Sequence, residues 1–295
     1  MRSLITAMLL ASLTTPAIAD SSAFWTHWGD GKAELNGYRL TVSRYGQSRS
    51  GTAVMVFVTE PFSRARKVKV DRYDANNSDH FTALKLNFVR KFQTGIYDYS
   101  VMSSVFADPT ARFAPVKTSF SSQEWCGHVY EETHFDPKGT KVRTDSYFEG
   151  ETRTTTLEPG LWPEENLFIW ARGLMSNGPA DMKPAKISIL GSAFVRRLRH
   201  LPARPIETAL DWSAPMTLTV PAGSFTARRL SWRRQTGESC TLDIEVARPH
   251  RVLGWACSDG EKGELTGTTR LPYWRTAQEG DEKLLRDLGL KVPKK

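Results

Sequence analysis

Apolar and polar residues alternate at period two through most of this 295-residue chain, and that pattern restricts the fold to extended strands with one covered face. Leu84, Leu86 and Phe88 alternate with Lys85 and Asn87, and Tyr38 to Val42 behaves in the same way. Thr52 to Thr59 is instead almost continuously apolar, as a strand covered on both faces should be. Further strands are predicted near 66–71, 95–106, 116–135, 140–156, 185–198, 206–211, 216–220, 225–234, 239–247, 251–257 and 263–271. Turn residues such as Asp108-Pro109, Asp136-Pro137-Lys138-Gly139, Gly178-Pro179 and Pro221-Ala222-Gly223 separate many of them. Many strands at short spacing without intervening helices predict a mainly β protein, an antiparallel barrel or strongly curved sheet.

One interior helix is expected over 163–175. Pro163 suits a first helical position, Glu164 and Glu165 suit the positive end of the helix dipole, and Leu167, Trp170, Ala171 and Leu174 fall on one helical face. A short C-terminal helix, Asp281 to Leu288, should stop at Gly289 and dock through Leu284, Leu285 and Leu288. Residues 20–295 then read as a single β domain, or as two β halves, 20–160 and 180–275, joined by the interior helix.

The first nineteen residues read as an export signal. Arg2 is a positive n-region, Leu4 to Leu13 an apolar h-region too short to span a bilayer, and Ala17-Ile18-Ala19 a small-residue cleavage site. The expected location is periplasmic or secreted after cleavage near Ala19. Loss of Arg2 would take the formal charge from +8 to +7. An apolar fraction of 40% and nine Trp exclude a disordered chain. A pI near 9.4 favours acidic neighbours such as lipid head groups or anionic glycans. Export disfavours nucleic acid, and no other apolar run approaches a transmembrane segment.

Three cysteines leave one unpaired in an oxidising compartment. Folding the chain about Arg248-Pro249 sets Cys240 opposite Cys257, Leu242 opposite Trp255 and Ile244 opposite Leu253, so one register aligns apolar residues and thiols together. A Cys240–Cys257 disulfide is predicted. Cys126 is then the odd thiol. In a regular strand over 124–135 it shares a face with Glu124, His128, Tyr130, Glu132 and His134, a face able to line a ligand site or, with a thiolate beside an imidazolium, to act as a nucleophile. The same strand is also explained by an apolar face turned inward and a polar one in solvent. Zinc-type ligand spacing is absent, so no metal is expected. Neither a Gly-x-Ser-x-Gly elbow nor a Gly-rich phosphate loop occurs, and no cofactor is expected. Arg196, Arg197 and Arg199, with Arg228 and Arg229, could converge on an anionic group, since guanidinium offers bidentate hydrogen bonds; solvated strand faces explain them equally. Phe24-Trp25-Thr26-His27-Trp28 reads as an aromatic tie-down or a stacking surface.

Phe24-Trp25 through Gly31-Lys32-Ala33-Glu34-Leu35, Ser121 through His128, and Ile169 through Leu174 resemble a group of uncharacterised exported bacterial proteins, some labelled septum formation inhibitors. The nucleotide-pyrophosphatase motifs of that label are absent here. Thr219-Val220-Pro221-Ala222-Gly223-Ser224-Phe225 is similar to a strand-turn signature of a periplasmic antiparallel β-barrel family of unknown function, which implies a fold and not a chemistry. Taken together, the residues point to a non-enzymatic binding protein for an envelope component such as a lipid or anionic glycan. A thiol- or metal-dependent enzyme centred on Cys126 and His128, and a structural partner of an envelope complex, are the alternatives.

Overall fold

Strand pairing starts at Ala33 and the sheet's last strand ends at Leu271 in the computed structural model, which describes residues 21–234 and 236–293. The signal expected at residues 1–19 lies outside the described residues. Eight strands build the first half: β1 (Ala33–Arg44), β2 (Gln47–Ser63), β3 (His80–Thr94), β4 (Tyr97–Asp108), β5 (Ala114–Glu124), β6 (Gly127–Asp136), β7 (Gly139–Ser146) and β8 (Arg153–Leu157). The second half holds β9 (Trp162–Pro163), β10 (Ala185–Leu190), β11 (Pro205–Trp212), β12 (Met216–Val220), β13 (Gly223–Arg233), β14 (Ser239–Glu245), β15 (Val252–Cys257) and β16 (Lys262–Leu271). Their order is β8-β7-β6-β5-β4-β3-β2-β1-β16-β15-β14-β13-β11-β10-β9, with β12 on β13. All pairs are antiparallel except β9 with β10. Pairing of β1 with β16 merges both halves into one sheet, whose end strands β8 and β9 do not meet. The sheet is therefore mainly antiparallel and open, not a closed barrel.

Alternation decides which side chains face inward. Tyr38, Leu40, Met55, Phe57, Leu84, Leu86 and Phe88 line the inner face and join one cluster with Phe168, Phe194, Leu242 and Trp255. Lys85 points outward and pairs with Glu60 at 2.7 Å. On β2, Val54, Val56 and Val58 are covered on the outer face by Ala33, Leu35 and Tyr273, which explains its apolar run. Each large aliphatic or aromatic residue so buried contributes roughly 1.5–3 kcal/mol by removal from water.

Helices fill the inner side. α1 (Ser21–Trp28) buries Phe24 and Trp28 in the core, the tie-down arrangement. The helix expected over 163–175 is shorter: a 3-10 turn, Glu164–Asn166, runs into α2 (Leu167–Trp170) and ends in turns through Gly173, whose φ of 56° favours glycine. Residues 185–198 are not one strand. β10 ends at Leu190, and α3 (Ala193–Arg199) follows because Phe194, Val195 and Leu198 have helical spacing that puts them on the core. Residues 66–71 form no strand either, only an isolated bridge between Phe62 and Lys69, although Val70 is buried there. The C-terminal element, Asp281–Leu288, is 3-10 and is capped by Gly289 at φ 68°. It docks on the outer face over Gly37 and Gly267, which are register partners. A Cβ on Gly37 would lie 2.1 Å from the Leu288 carbonyl oxygen, so only glycine admits this contact.

Candidate functional site

The chemically dense stretch around Cys126 is a hairpin. β5 stops at Glu124, Trp125 and Cys126 make a two-residue turn, and β6 starts at Gly127. Pairing of Glu124 with Gly127 reverses the faces expected of one continuous strand. Glu124 turns inward, where it meets Arg197 at 3.3 Å, whereas His128, Tyr130, Glu132 and His134 lie on the outer face. Glu124, Cys126 and His128 thus do not share a face. The Cys126 backbone N–H donates to Glu124 Oε2 at 2.8 Å, and the thiol is exposed. Hydrogen bonding to the Glu124 carboxylate, with its charge, pushes the Cys126 pKa up, the reverse of nucleophile activation. Iodoacetamide should therefore modify Cys126 in the native protein only as pH rises above the ordinary thiol range, and Glu124→Gln should bring labelling to lower pH. Rapid native labelling at pH 6 would contradict this environment.

Further along the outer face Glu132 joins Lys117 at 2.8 Å, Tyr130 Oη at 2.8 Å and His134 Nε2 at 2.8 Å. Partial burial acts to raise the Glu132 pKa, but these three partners outweigh it and hold the carboxyl at about 2. Burial and the Glu132 carboxylate push Tyr130 up to about 12. Tyr130 is thus engaged in a structural network.

The arginines expected to gather on an anion are engaged within the protein. Arg196 and Arg197 are helical, on α3, and not on a strand. Arg196 grips Glu131 with two bonds of 2.8 and 2.6 Å, and Arg197 holds Glu124. Arg199 reaches Glu238 at 2.5 Å, Arg228 donates to the carbonyls of Ser213, Pro179 and Ala180, and Arg229 chelates Asp243 at 2.7 and 2.9 Å. The two runs do not form one patch.

Between α3 and the sheet an open cleft of about 210 Å³ is lined by Val42, Arg44, Phe194, Leu198, Asp259 and Glu261, next to a layer of buried charge. Arg234 bonds Glu164, Asp259 and Glu261, Arg90 bonds Glu261, and Trp255 Nε1 donates to the same carboxylate at 3.1 Å. Glu165, held by Ser192, has its pKa raised by burial and by neighbouring Glu164. Beside this buried charge layer the residual spaces measure about 10 Å³ at Phe168 and about 30 Å³ at Arg196. Among the described residues no three His, Cys, Asp or Glu side chains gather as metal ligands.

What the sequence reading missed lies at one end of the sheet. In an antiparallel meander alternate turns share an end, so the β1–β2, β3–β4, β5–β6 and β7–β8 connections project together. Each presents a large exposed side chain: Tyr45, Ile96, Trp125 and Tyr147, of which Ile96 is 80% and Trp125 69% exposed. Strand spacing sets this rim at about 30 Å long. Tyr45 and Tyr97 join through their hydroxyls at 3.2 Å, the Tyr97 and Trp125 rings lie 6.3 Å apart, and Tyr147 packs on Gly127 where any Cβ would collide. Arg44 lies over the Tyr45 ring at 4.2 Å. Below Trp125 an open trough of about 700 Å³ runs across the outer face. Register pairing lines up Lys91, Ser100, Gln123 and His128 along it. The available signal was an apolar residue beside glycine where a turn belongs, as in Tyr45-Gly46 and Gly95-Ile96.

No protein-family description, curated protein or solved structure matches this chain.

Proposed function

We propose that this is a non-enzymatic, exported binding protein that docks on the anionic lipid surface of the cell envelope through the rim of Tyr45, Ile96, Trp125 and Tyr147. The observation that carries this reading is the concentration of exposed Tyr, Trp and Ile on four neighbouring hairpin tips. Tyr and Trp partition to the membrane–water boundary, where an apolar ring and a polar edge are both solvated well. Exposed apolar tips are otherwise costly on a monomeric surface. Arg44 at Tyr45 supplies positive charge at head-group height, with Lys91 in the trough offset by Asp98 there, in keeping with the basic character of the whole chain. The Cys240–Cys257 disulfide is compatible with an oxidising compartment, and no helix among the described residues is long and apolar enough to cross a membrane.

A second reading rests on the trough itself. Trp125 beside Lys91, Gln123 and His128 has the chemistry to stack on a sugar and bind its acidic groups. Co-sedimentation with phosphatidylglycerol and phosphatidylcholine vesicles, alongside binding to dextran sulfate, separates the two. The lipid reading expects binding to the anionic vesicles, weakening as salt rises. Joint Ile96→Ser and Trp125→Ala should reduce it at least about tenfold, or ~1.4 kcal/mol. Binding to dextran sulfate without binding to vesicles would transfer the assignment to a glycan. Undiminished vesicle binding by the double variant would remove the rim from the account.

A further inference from the structure

The open cleft between α3 and the sheet lies at the same end as the rim, because Tyr45 is both a rim residue and part of the cleft wall. Its volume of about 210 Å³ equals the liquid share of about seven waters, room for a polar head group and the first carbons behind it but not for a whole lipid. Val42, Phe194 and Leu198 make one side apolar, and Arg44, Arg199 and Asp259 supply polar groups. Two of the lining residues are well exposed, Tyr45 at 57% and the Arg199 side chain at 40%, so the polar part of the wall is open to solvent.

Pairing around the cleft leaves one cation over. Asp259 and Glu261 accept from Arg234 at 2.9 and 3.3 Å, Glu261 also accepts from Arg90 at 3.1 Å, and Glu238 pairs with Arg199 at 2.5 Å. These carboxylates are therefore already neutralised by guanidiniums behind or beside the cleft. Arg44 has no carboxylate partner among the described residues. It donates from Nε to Tyr99 Oη at 3.3 Å, from Nη1 to the Leu198 carbonyl at 2.9 Å and from Nη2 to Tyr45 Oη at 3.2 Å. A guanidinium carries five N–H donors, so one remains on each Nη. The Nη2 bond to Tyr45 is solvent-exposed, which puts this nitrogen within reach of a molecule in the cleft. Arg199 Nη2 lies 3.9 Å from Asp259, too far for a hydrogen bond, and adds a further unfilled donor. A guanidinium already fixed by three bonds loses little freedom on gripping an anion, and its planar fork matches a pair of phosphate oxygens.

We infer that this cleft takes the phosphate group of an amphiphile, the phosphate accepting from Arg44 and Arg199 and the adjoining carbons lying against Val42, Phe194 and Leu198. A lipid head group and free phosphate share this chemistry, and the apolar wall beside the guanidinium favours the first. The choice of phosphate rests on the lipid reading of the rim, since a docked rim would bring head groups to the cleft's own end of the sheet. The cleft is nevertheless distinct from the rim side chains Ile96 and Trp125, neither of which lines it.

Calorimetric titration of the protein with dihexanoyl phosphatidylglycerol below its micelle concentration tests this, with dihexanoyl glycerol as the uncharged control and inorganic phosphate as the control without chains. The short-chain lipid should bind saturably at one site, at least tenfold more tightly than either control. Arg44→Gln and Arg199→Gln should each weaken it at least fivefold while circular dichroism shows the fold kept. Arg44→Lys should recover only part of the loss, because an ammonium keeps the charge but not the planar fork. Joint Ile96→Ser and Trp125→Ala should leave this binding unchanged, although it should release the protein from vesicles. Binding of the short-chain lipid by a protein that ignores vesicles would uphold the cleft and remove the rim. Vesicle binding without saturable uptake of the short-chain lipid, equal affinity for either control, or unaltered affinity in both glutamine variants would each overturn the proposal.

Discussion

Replacing Arg172 by methionine should lower the free energy of unfolding by about 3–5 kcal/mol, the effect expected when one partner of a buried ion pair is removed. Arg172 is fully buried and its partner Glu34 is 1% exposed. The guanidinium donates from Nη2 to Glu34 at 2.8 Å, from Nε to the His250 carbonyl at 2.9 Å, and from Nη2 to the Pro249 carbonyl at 3.0 Å. It also lies over the rings of Trp28 and Phe57, at 5.2 and 4.4 Å. Methionine fills much of this volume but leaves the Glu34 carboxylate in a dry site with, among the described residues, only Asn36 as a side-chain donor. Adding Glu34→Gln should restore a large part of the loss, because the uncompensated charge is then gone. Urea denaturation of wild type, both single variants and the double variant measures this directly. A loss below 1 kcal/mol for Arg172→Met would show that the pair is not the anchor of α1 and the 248–250 connection.

Changing both Cys240 and Cys257 to serine should cost about 3 kcal/mol, the chain-entropy value for a loop of this size. The two residues are 17 apart in sequence and occupy directly opposed positions on β14 and β15. Both strands are inner walls of the core, with Leu242 opposite Trp255, so the unbridged variant should keep its fold at 25 °C and lose thermal stability. Thermal and urea unfolding, with a thiol assay confirming that Cys126 alone reacts in the native wild type, check this. Unchanged stability would mean that the ladder by itself confines the unfolded hairpin.

Much of the sheet could be read from periodicity because each inward residue lies two along from the last. The expected strand at 216–220 coincides with β12, and the Cys240 register is right as far as Leu242 with Trp255. Beyond Asp243 an irregularity shifts the ladder by one, and Ile244 meets Val252 in place of Leu253. Period two cannot reveal such a slip. The same blindness merged β5 and β6: Trp125-Cys126 contains no glycine, proline or asparagine, so alternation in the sequence runs on through a turn that in fact exchanges the faces. α3 was hidden because Phe194 and Val195 have strand propensity, and only packing against β4 and β5 selects the helix. The buried carboxylates Glu131, Glu164 and Glu261 were illegible for a simpler reason. Their guanidinium partners are distant in sequence, and only the closed tertiary arrangement makes an interior charge tolerable.

The seam between β1 and β16 fixes when the molecule can become itself. Tyr38 on β1 donates its hydroxyl to the carbonyl of Val252, a partner 214 residues later in the chain. Neighbouring hairpins such as β3–β4 can form locally and early, but the central staves of the sheet cannot be joined until the last strand has arrived. During synthesis a nascent chain of the first eight strands would carry β1 as a bare edge, its backbone groups awaiting a mate not yet made. Completion is thus a late event governed by chain length, and removing β16 would strand a half-built sheet and not a smaller version of this protein.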